Sequence, residues 1–255
     1  KYAETITGLE ESLDDMFNRL AMPFEDQKKL FDYAKKVSIE IFSTPFDFES
    51  VDFLETLGVS LYKIASMDLV NIPLIKYVAR TCKPMIVSTG MSTLGQIEEA
   101  VAAIREEGNQ NLILLHCNSS YPATLGEMNL KVINNLKQSF SVPVGLSDHT
   151  FGLFASHTAI VLGANVIERH FTLDRTFEGP DHILSSEPDE MEELVSLANR
   201  IPLVLGDGIK RIQPNEYDTI NTQRKSLYAS CNIEKGKVIA KEMISIKGPG
   251  GGLLP

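Results

Sequence analysis

The chain has no tryptophan and only three cysteines, Cys82, Cys117 and Cys231. Their odd number and wide spacing leave no CxxC pair for a structural zinc or a redox dithiol. Reduced thiols in a cytoplasmic protein are the expectation. No uninterrupted apolar run reaches the about 18 residues that a membrane helix needs, and no secretory signal opens the chain. A Walker loop and a GxGxxG fingerprint are both missing, so nothing here is built for a nucleotide. Cations are in deficit: 24 Lys plus Arg against 34 Asp plus Glu give a formal net charge of -10. Such a chain is a poor nonspecific partner for nucleic acid, although a locally basic pocket can still take an anionic small molecule.

The 255 residues, 43% hydrophobic and 23% charged, suit one large α/β domain with or without a small appendage. Short apolar runs alternate with amphipathic segments. The runs are Glu40–Thr44, Leu61–Ala65, Met85–Ser88, Leu112–His116, Val142–Leu146 and Val166–His170, each reading as a buried strand of a parallel sheet. Between them Phe48–Leu57, Ile72–Thr81, Leu94–Glu107 and Leu153–Leu162 carry apolar residues at helical spacing, and Glu192–Leu205 reads as a closing helix. Strand–helix alternation implies βαβ units. An eight-stranded (β/α)8 TIM barrel then needs two strands before Lys1, and the chain does not open on Met. A six-stranded open sheet is the alternative. The expected layout is a barrel domain over 1–212, a polar linker over 213–223, and the start of a small β-rich module over 224–255, with strands at Ser226–Ala229 and Val238–Ile239 around a turn at Lys235-Gly236.

In a parallel barrel, function collects at the C-terminal strand ends. Here those ends are Ser43-Thr44, Lys63 to Ser66, Ser88-Thr89-Gly90, His116 to Ser119, Ser147-Asp148-His149 and Glu168-Arg169-His170, all polar. Any one Ser or Thr there starts a turn or caps a helix just as well; a whole ring points to a pocket. His149 and His170 end successive runs, which places two imidazoles side by side for one divalent metal, with Asp181 within reach. His116 reads as an orienting group and His157 as a helix residue without a role, while His182 stays open. Lys63 supplies a fixed charge for phosphate or carboxylate, or else a Schiff-base amine.

Taken in order, Phe42-Ser43-Thr44-Pro45-Phe46, Tyr62-Lys63-Ile64-Ala65-Ser66, Ser88-Thr89-Gly90-Met91, Leu115-His116-Cys117, Tyr121-Pro122, Gly145-Leu146-Ser147-Asp148-His149, Ile167-Glu168-Arg169-His170-Phe171-Thr172 and Gly179-Pro180-Asp181-His182 closely resemble the N-acetylneuraminate synthase family. That family includes legionaminate and pseudaminate synthases and a spore-coat polysaccharide enzyme. The stretch from Arg224 to Gly250 resembles the opening of the family's antifreeze-like (SAF) domain.

The resemblance implies a transferase that condenses phosphoenolpyruvate with N-acetylmannosamine or a related N-acetylated hexosamine. It implies Mn2+ or Mg2+ on His149 and His170. Thr44, Lys63, Ser66, Ser88 and Ser147 match phosphoenolpyruvate-holding positions, and Asp68 matches an acidic position beside them. Tyr121, Glu168 and Asp181 match positions near the sugar. Ser119 stands where some members carry an Asn that helps hold phosphate. The family's first-strand glutamate and second-strand lysine would lie before Lys1. A domain-swapped homodimer, with the SAF module over the partner's site, is the implied assembly. The runner-up is a class I aldolase using Lys63 as Schiff-base nucleophile.

Overall fold

The computed structural model describes residues 12–255. Two compact units divide at Leu205 and Gly206, somewhat before the expected boundary at 212. The first unit opens with two helices, α1 (Leu13–Leu20) and α2 (Phe24–Lys36). Helix α3 (Phe48–Leu57) begins where the Asp47 carboxylate accepts from the Ser50 amide at 2.7 Å and stops at Gly58, whose φ of 71° is left-handed.

Then strands and helices alternate: β1 (Tyr62–Ile64), α4 (Ile72–Ala79), β2 (Met85–Ser88), α5 (Leu94–Glu106), β3 (Leu112–Cys117), α6 (Val132–Phe140), β4 (Val144–Asp148), α7 (Phe154–Val161), β5 (Ile167–Arg169) and α8 (Pro188–Leu205). Local chemistry sets the boundaries. Asn71 caps α4, and a reciprocal Thr93–Gln96 capping box opens α5. Helix α8 starts four residues before the expected Glu192, because Pro188 suits a first turn and Asp189 and Glu190 favour the helix N-terminus.

The five strands form one parallel sheet in sequential order. Glu40–Thr44 is not a sixth. Among the described residues it pairs with no strand: Ile41 packs on the core, Phe42 is exposed, and the Glu40 carboxylate accepts from the Ser60 hydroxyl. Apolar character marked the run, but a strand also needs a partner. Strand β4 is displaced two residues toward its C-terminus from the expected Val142–Leu146. Pro143 has no N–H to give, although its carbonyl accepts from Leu114 at 3.1 Å.

Strand alternation sorts the side chains. Tyr62, Ile64, Met85, Val87, Leu112, Leu114, Val144 and Leu146 point to the helices and join one core with Leu74, Ile75, Ile97, Ile104 and Leu136. Lys63, Ser88, Cys117, Ser147 and Glu168 point the other way. The Lys63 ammonium lies 3.6 Å from the Glu168 carboxylate, although β1 and β5 are opposite edges of the sheet. Four interstrand spacings would separate flat edges by about 19 Å. The sheet is therefore curled, with this polar face on its concave side, as a half-barrel. Gly145 marks how tightly β4 and β5 approach, since a Cβ there would fall 2.2 Å from the Val166 carbonyl oxygen.

The second unit, residues 206–255, pairs β6 (Ser226–Ala229) with β7 (Ile244–Lys247) in antiparallel fashion. The expected strand at Val238–Ile239 is unpaired and exposed. The expected linker over 213–223 instead holds a 3-10 turn and helix α9 (Tyr217–Gln223), because Gln213 and Glu216 form a capping box around Pro214.

Candidate active site

Lys63 is the only cation whose side chain belongs to the concave ladder just described, and it is 7% exposed. Its Nζ donates to the Ile64 carbonyl at 3.1 Å and faces Glu168 Oε2. Ser147 Oγ donates to the other Glu168 oxygen at 2.7 Å. Burial lowers the Lys63 pKa below the ordinary lysine value, opposed by the charges of Glu168 and Cys117. The ammonium is thus short of compensating charge, which suits it to an anion.

At the mouth of β2, Gly90 permits close convergence. Its amide donates to Ser66 Oγ at 3.0 Å. A Cβ on Gly90 would lie 2.2 Å from Ser119 Oγ, 2.8 Å from Ser66 Oγ and 3.2 Å from Cys117 Sγ. Ser88 is 2% exposed on the same face, and among the described residues neither its buried hydroxyl nor the buried Oδ2 of Asp68 has a hydrogen-bond partner. Orphaned buried polar atoms cost about 1–3 kcal/mol each, so a ligand oxygen at Ser88 would relieve a standing penalty. Asp68 sits in the turn that also carries Ser66, and its other oxygen accepts from Asn71 at 3.0 Å.

Across the mouth, the His149 and His170 rings stand 5.4 Å apart, centre to centre. Tyr121 packs on both, at 4.1 Å from His149 and 5.8 Å from His170. His149 Nδ1 lies 2.9 Å from the Asn118 carbonyl, an arrangement that makes Nδ1 the donor, so that in the neutral ring the free lone pair is on Nε2. His170 Nδ1 is 3.5 Å from Asp181 Oδ2. Burial works to lower the His149 pKa, but the hydrogen bonds to Cys117 and Asn118 outweigh it and the pKa ends above the usual value. His170 goes the other way: burial lowers it, Asp181 opposes, and His149 adds to the lowering. Burial and the surrounding acidic groups push the Tyr121 phenol up to about 12.

The structure therefore brings Lys63, Ser66, Ser88, Ser119, Tyr121, Ser147, His149, Glu168, His170 and Asp181 to one concave face and its rim. Thr44 stays half-buried in the unpaired segment before α3 and, among the described residues, has no hydrogen bond to this group. His116 is not an orienting group of the pocket. Register pairs it with Leu146 on the helix-facing side, where its Nε2 meets the Met128 carbonyl at 2.6 Å. His182 is held by the Thr172 hydroxyl at 2.8 Å. A residue of this face to which the sequence analysis gave no role is Cys117, 3.9 Å from His149 Nδ1 and 3.6 Å from Ser119 Oγ. Counting alternate residues along β3 would have found it.

Residues 1–210 match the NeuB family. The chain is 43% identical over 254 residues to N,N'-diacetyllegionaminic acid synthase of Campylobacter jejuni, covering 99% of this chain and 76% of that protein. It is 33% identical over 229 residues to human N-acetylneuraminate-9-phosphate synthase, covering 89% and 64%. Among solved structures, the N-acetylneuraminic acid synthetase of Leptospira borgpetersenii is similar with a TM-score of 0.78 at 34% identity, covering 86% of this chain and 76% of that one. The chain belongs to the NeuB family of nonulosonic acid synthases, transferase enzymes that act on small molecules.

Proposed function

We propose that the concave face condenses phosphoenolpyruvate with N-acetylmannosamine or a related N-acetylated hexosamine, giving a nonulosonic acid and phosphate. The observation that carries this reading is the Lys63–Glu168–Ser147 chain lying beside the His149–His170 pair on one curled sheet. Phosphoenolpyruvate brings two anionic groups. Lys63 supplies the charge for them, and Ser66, Ser88, Ser119 and Ser147, with Thr44, supply hydroxyls.

The residues present fit a divalent cation in part. His149 keeps Nε2 open while Nδ1 is anchored by a carbonyl, as metal-bound imidazoles are. Among the described residues, however, no group of three or more His, Cys, Asp and Glu side chains is arranged to hold a metal. His149 and His170 would hold Mn2+ or Mg2+, with substrate and water oxygens completing the shell. Such an ion supplies Lewis-acid polarisation of the sugar aldehyde.

In the reaction, the methylene carbon of phosphoenolpyruvate bonds to the aldehyde carbon, and the aldehyde oxygen gains a proton to become a hydroxyl. Water adds to the former enol carbon and gives up one proton; the C–O bond to phosphate then breaks, the new hydroxyl becomes the ketone carbonyl, and its proton leaves with phosphate. One proton is gained and one lost. Glu168 and Asp181 are the carboxylates placed to exchange them, with Asp68 beside the phosphoenolpyruvate end. Tyr121, with its raised pKa, keeps its phenol proton to donate to the sugar.

Four further expectations belong to this proposal. The half-barrel is an arc of a (β/α)8 barrel. The second unit opens an SAF domain. The protein works as a homodimer, and it does so in the cytoplasm. A second reading has one observation in its favour: a buried lysine with a lowered pKa, as at Lys63, is a nucleophile for a Schiff base. Incubating the protein with an N-acetylated hexosamine and either [3-13C]phosphoenolpyruvate or [3-13C]pyruvate separates the two. A new C–C-bonded 13C signal that survives borohydride supports the synthase. A borohydride-trapped pyruvyl adduct on Lys63 supports the aldolase.

A further inference from the structure

Strand alternation sends Arg169, between Glu168 and His170, to the face of the sheet away from the pocket. There its side chain and that of Asp148 are 1% and 0% exposed. Arg169 Nη1 donates to Asp148 Oδ2 at 2.6 Å, Nη2 to the Thr150 carbonyl at 2.9 Å and Nε to Ser186 Oγ at 2.8 Å. Asp148 is saturated from its other side. Its Oδ1 accepts from the Thr150 amide at 2.9 Å and hydroxyl at 2.8 Å, and Oδ2 also accepts from Ser156. Thr150, Ser156 and Ser186 are themselves buried.

Burying an ion pair is costly, and well-packed apolar residues would serve stability at least as well. What the pair does do is geometric. Asp148 and Thr150 bracket His149. Arg169 immediately precedes His170. Ser186 lies five residues beyond Asp181 and donates its amide to the His170 carbonyl at 2.8 Å, while its own carbonyl accepts from Thr172 at 3.0 Å. One guanidinium therefore ties together the three segments that carry His149, His170 and Asp181. The planar fork matters here, because its donors point along fixed directions to three different partners.

We propose that Arg169, braced by Asp148, is a positioning residue that sets the spacing of His149, His170 and Asp181 from behind the sheet. It touches no substrate. The proposal rests on the reading of those three side chains as the aldehyde-activating end of the site.

The test uses the full-length protein and Arg169→Lys, which keeps the charge but loses the fork. Three quantities are measured: the ring separation in a crystal structure, the affinity for Mn2+ alone by titration, and kcat with the KM for phosphoenolpyruvate. The expected result is a changed His149–His170 separation, Mn2+ binding weaker by about 10–100-fold, and kcat lower by on the order of 10²-fold. The KM for phosphoenolpyruvate, set by Lys63 and Ser88 on β1 and β2, holds. A purely structural role would instead lower the melting temperature and leave the rings and the Mn2+ affinity of the folded protein unchanged, and that result overturns the proposal. Should Arg169→Lys not fold, Ser186→Ala removes a single acceptor. It is expected to shift the His170–Asp181 contact and weaken Mn2+ in the same direction, and an unchanged site overturns the proposal. If the wild-type protein binds no Mn2+, the metal reading fails, but the ring separation still decides the clamp.

Discussion

Lys63 and Glu168 stand on the first and last strands of a five-stranded parallel sheet, yet their charges approach to 3.6 Å. That contact requires a curled sheet, and it sets the Lys63 charge on the concave face. Lys63→Met is expected to lower kcat/KM for phosphoenolpyruvate by on the order of 10²–10³-fold. Glu168 is 38% exposed and can rehydrate, so the stability change should stay below about 1 kcal/mol. Steady-state kinetics beside a thermal melt checks both halves.

The lowered Lys63 pKa makes a prediction with two opposite trends. The unfolded chain titrates this lysine at about 10.4. Between the lowered folded value and that point, the unfolded state binds more protons, so the Lys63 contribution to stability rises with pH. Over the same window the charge that holds the phosphate is lost, so KM for phosphoenolpyruvate rises. Lys63→Met removes both slopes. Stability and phosphoenolpyruvate affinity that move in the same direction with pH in the wild type, or slopes that persist in the variant, would assign the titration to another group.

Two glycines should fail differently when given a methyl group. In Gly145→Ala the new Cβ meets the Val166 carbonyl oxygen, which is backbone and cannot turn aside. The cost is expected to be about 1–3 kcal/mol or more, read as a lower denaturation midpoint. In Gly90→Ala the nearest atoms are the Ser119 and Ser66 hydroxyls and the Cys117 thiol, which can rotate. The expected result is a raised KM for phosphoenolpyruvate with a smaller loss of stability. Equal effects on stability and equal KM values would contradict the assignment of Gly90 to the anion cradle.

Much of this was legible in the chain itself. Helix α3 is written in Asp47 and Gly58, and α5 in Thr93 and Gln96. Lys63, Ser88, Ser147 and Glu168 share one face of the sheet, as strand alternation implies. What escaped were matters of pairing. Glu40–Thr44 has the composition of a strand but lacks a partner in the sheet, and Pro143 displaced β4 because it lacks an N–H. His116 shares its motif with Cys117, and only the register between β3 and β4 decides which of them faces the pocket. The Gln213–Gln223 stretch is mostly polar, with Tyr217 and Ile220 too few to mark a helix by periodicity; the capping pair Gln213 and Glu216 was the available signal. Asp148 and Arg169 sit between recognised residues, and their role emerges only once both side chains are seen buried behind the sheet.

The central claim is that His149, His170 and Lys63 serve one condensation. The most direct measurement is phosphate release from phosphoenolpyruvate, labelled with 18O at the bridging oxygen, with a panel of N-acetylated hexosamines. It is run with and without Mn2+, and with a His149→Ala, His170→Ala double variant. The account predicts release that requires one sugar, requires the metal, carries the label into phosphate, and is lost in the variant. Release that ignores chelator and survives in the variant would contradict it.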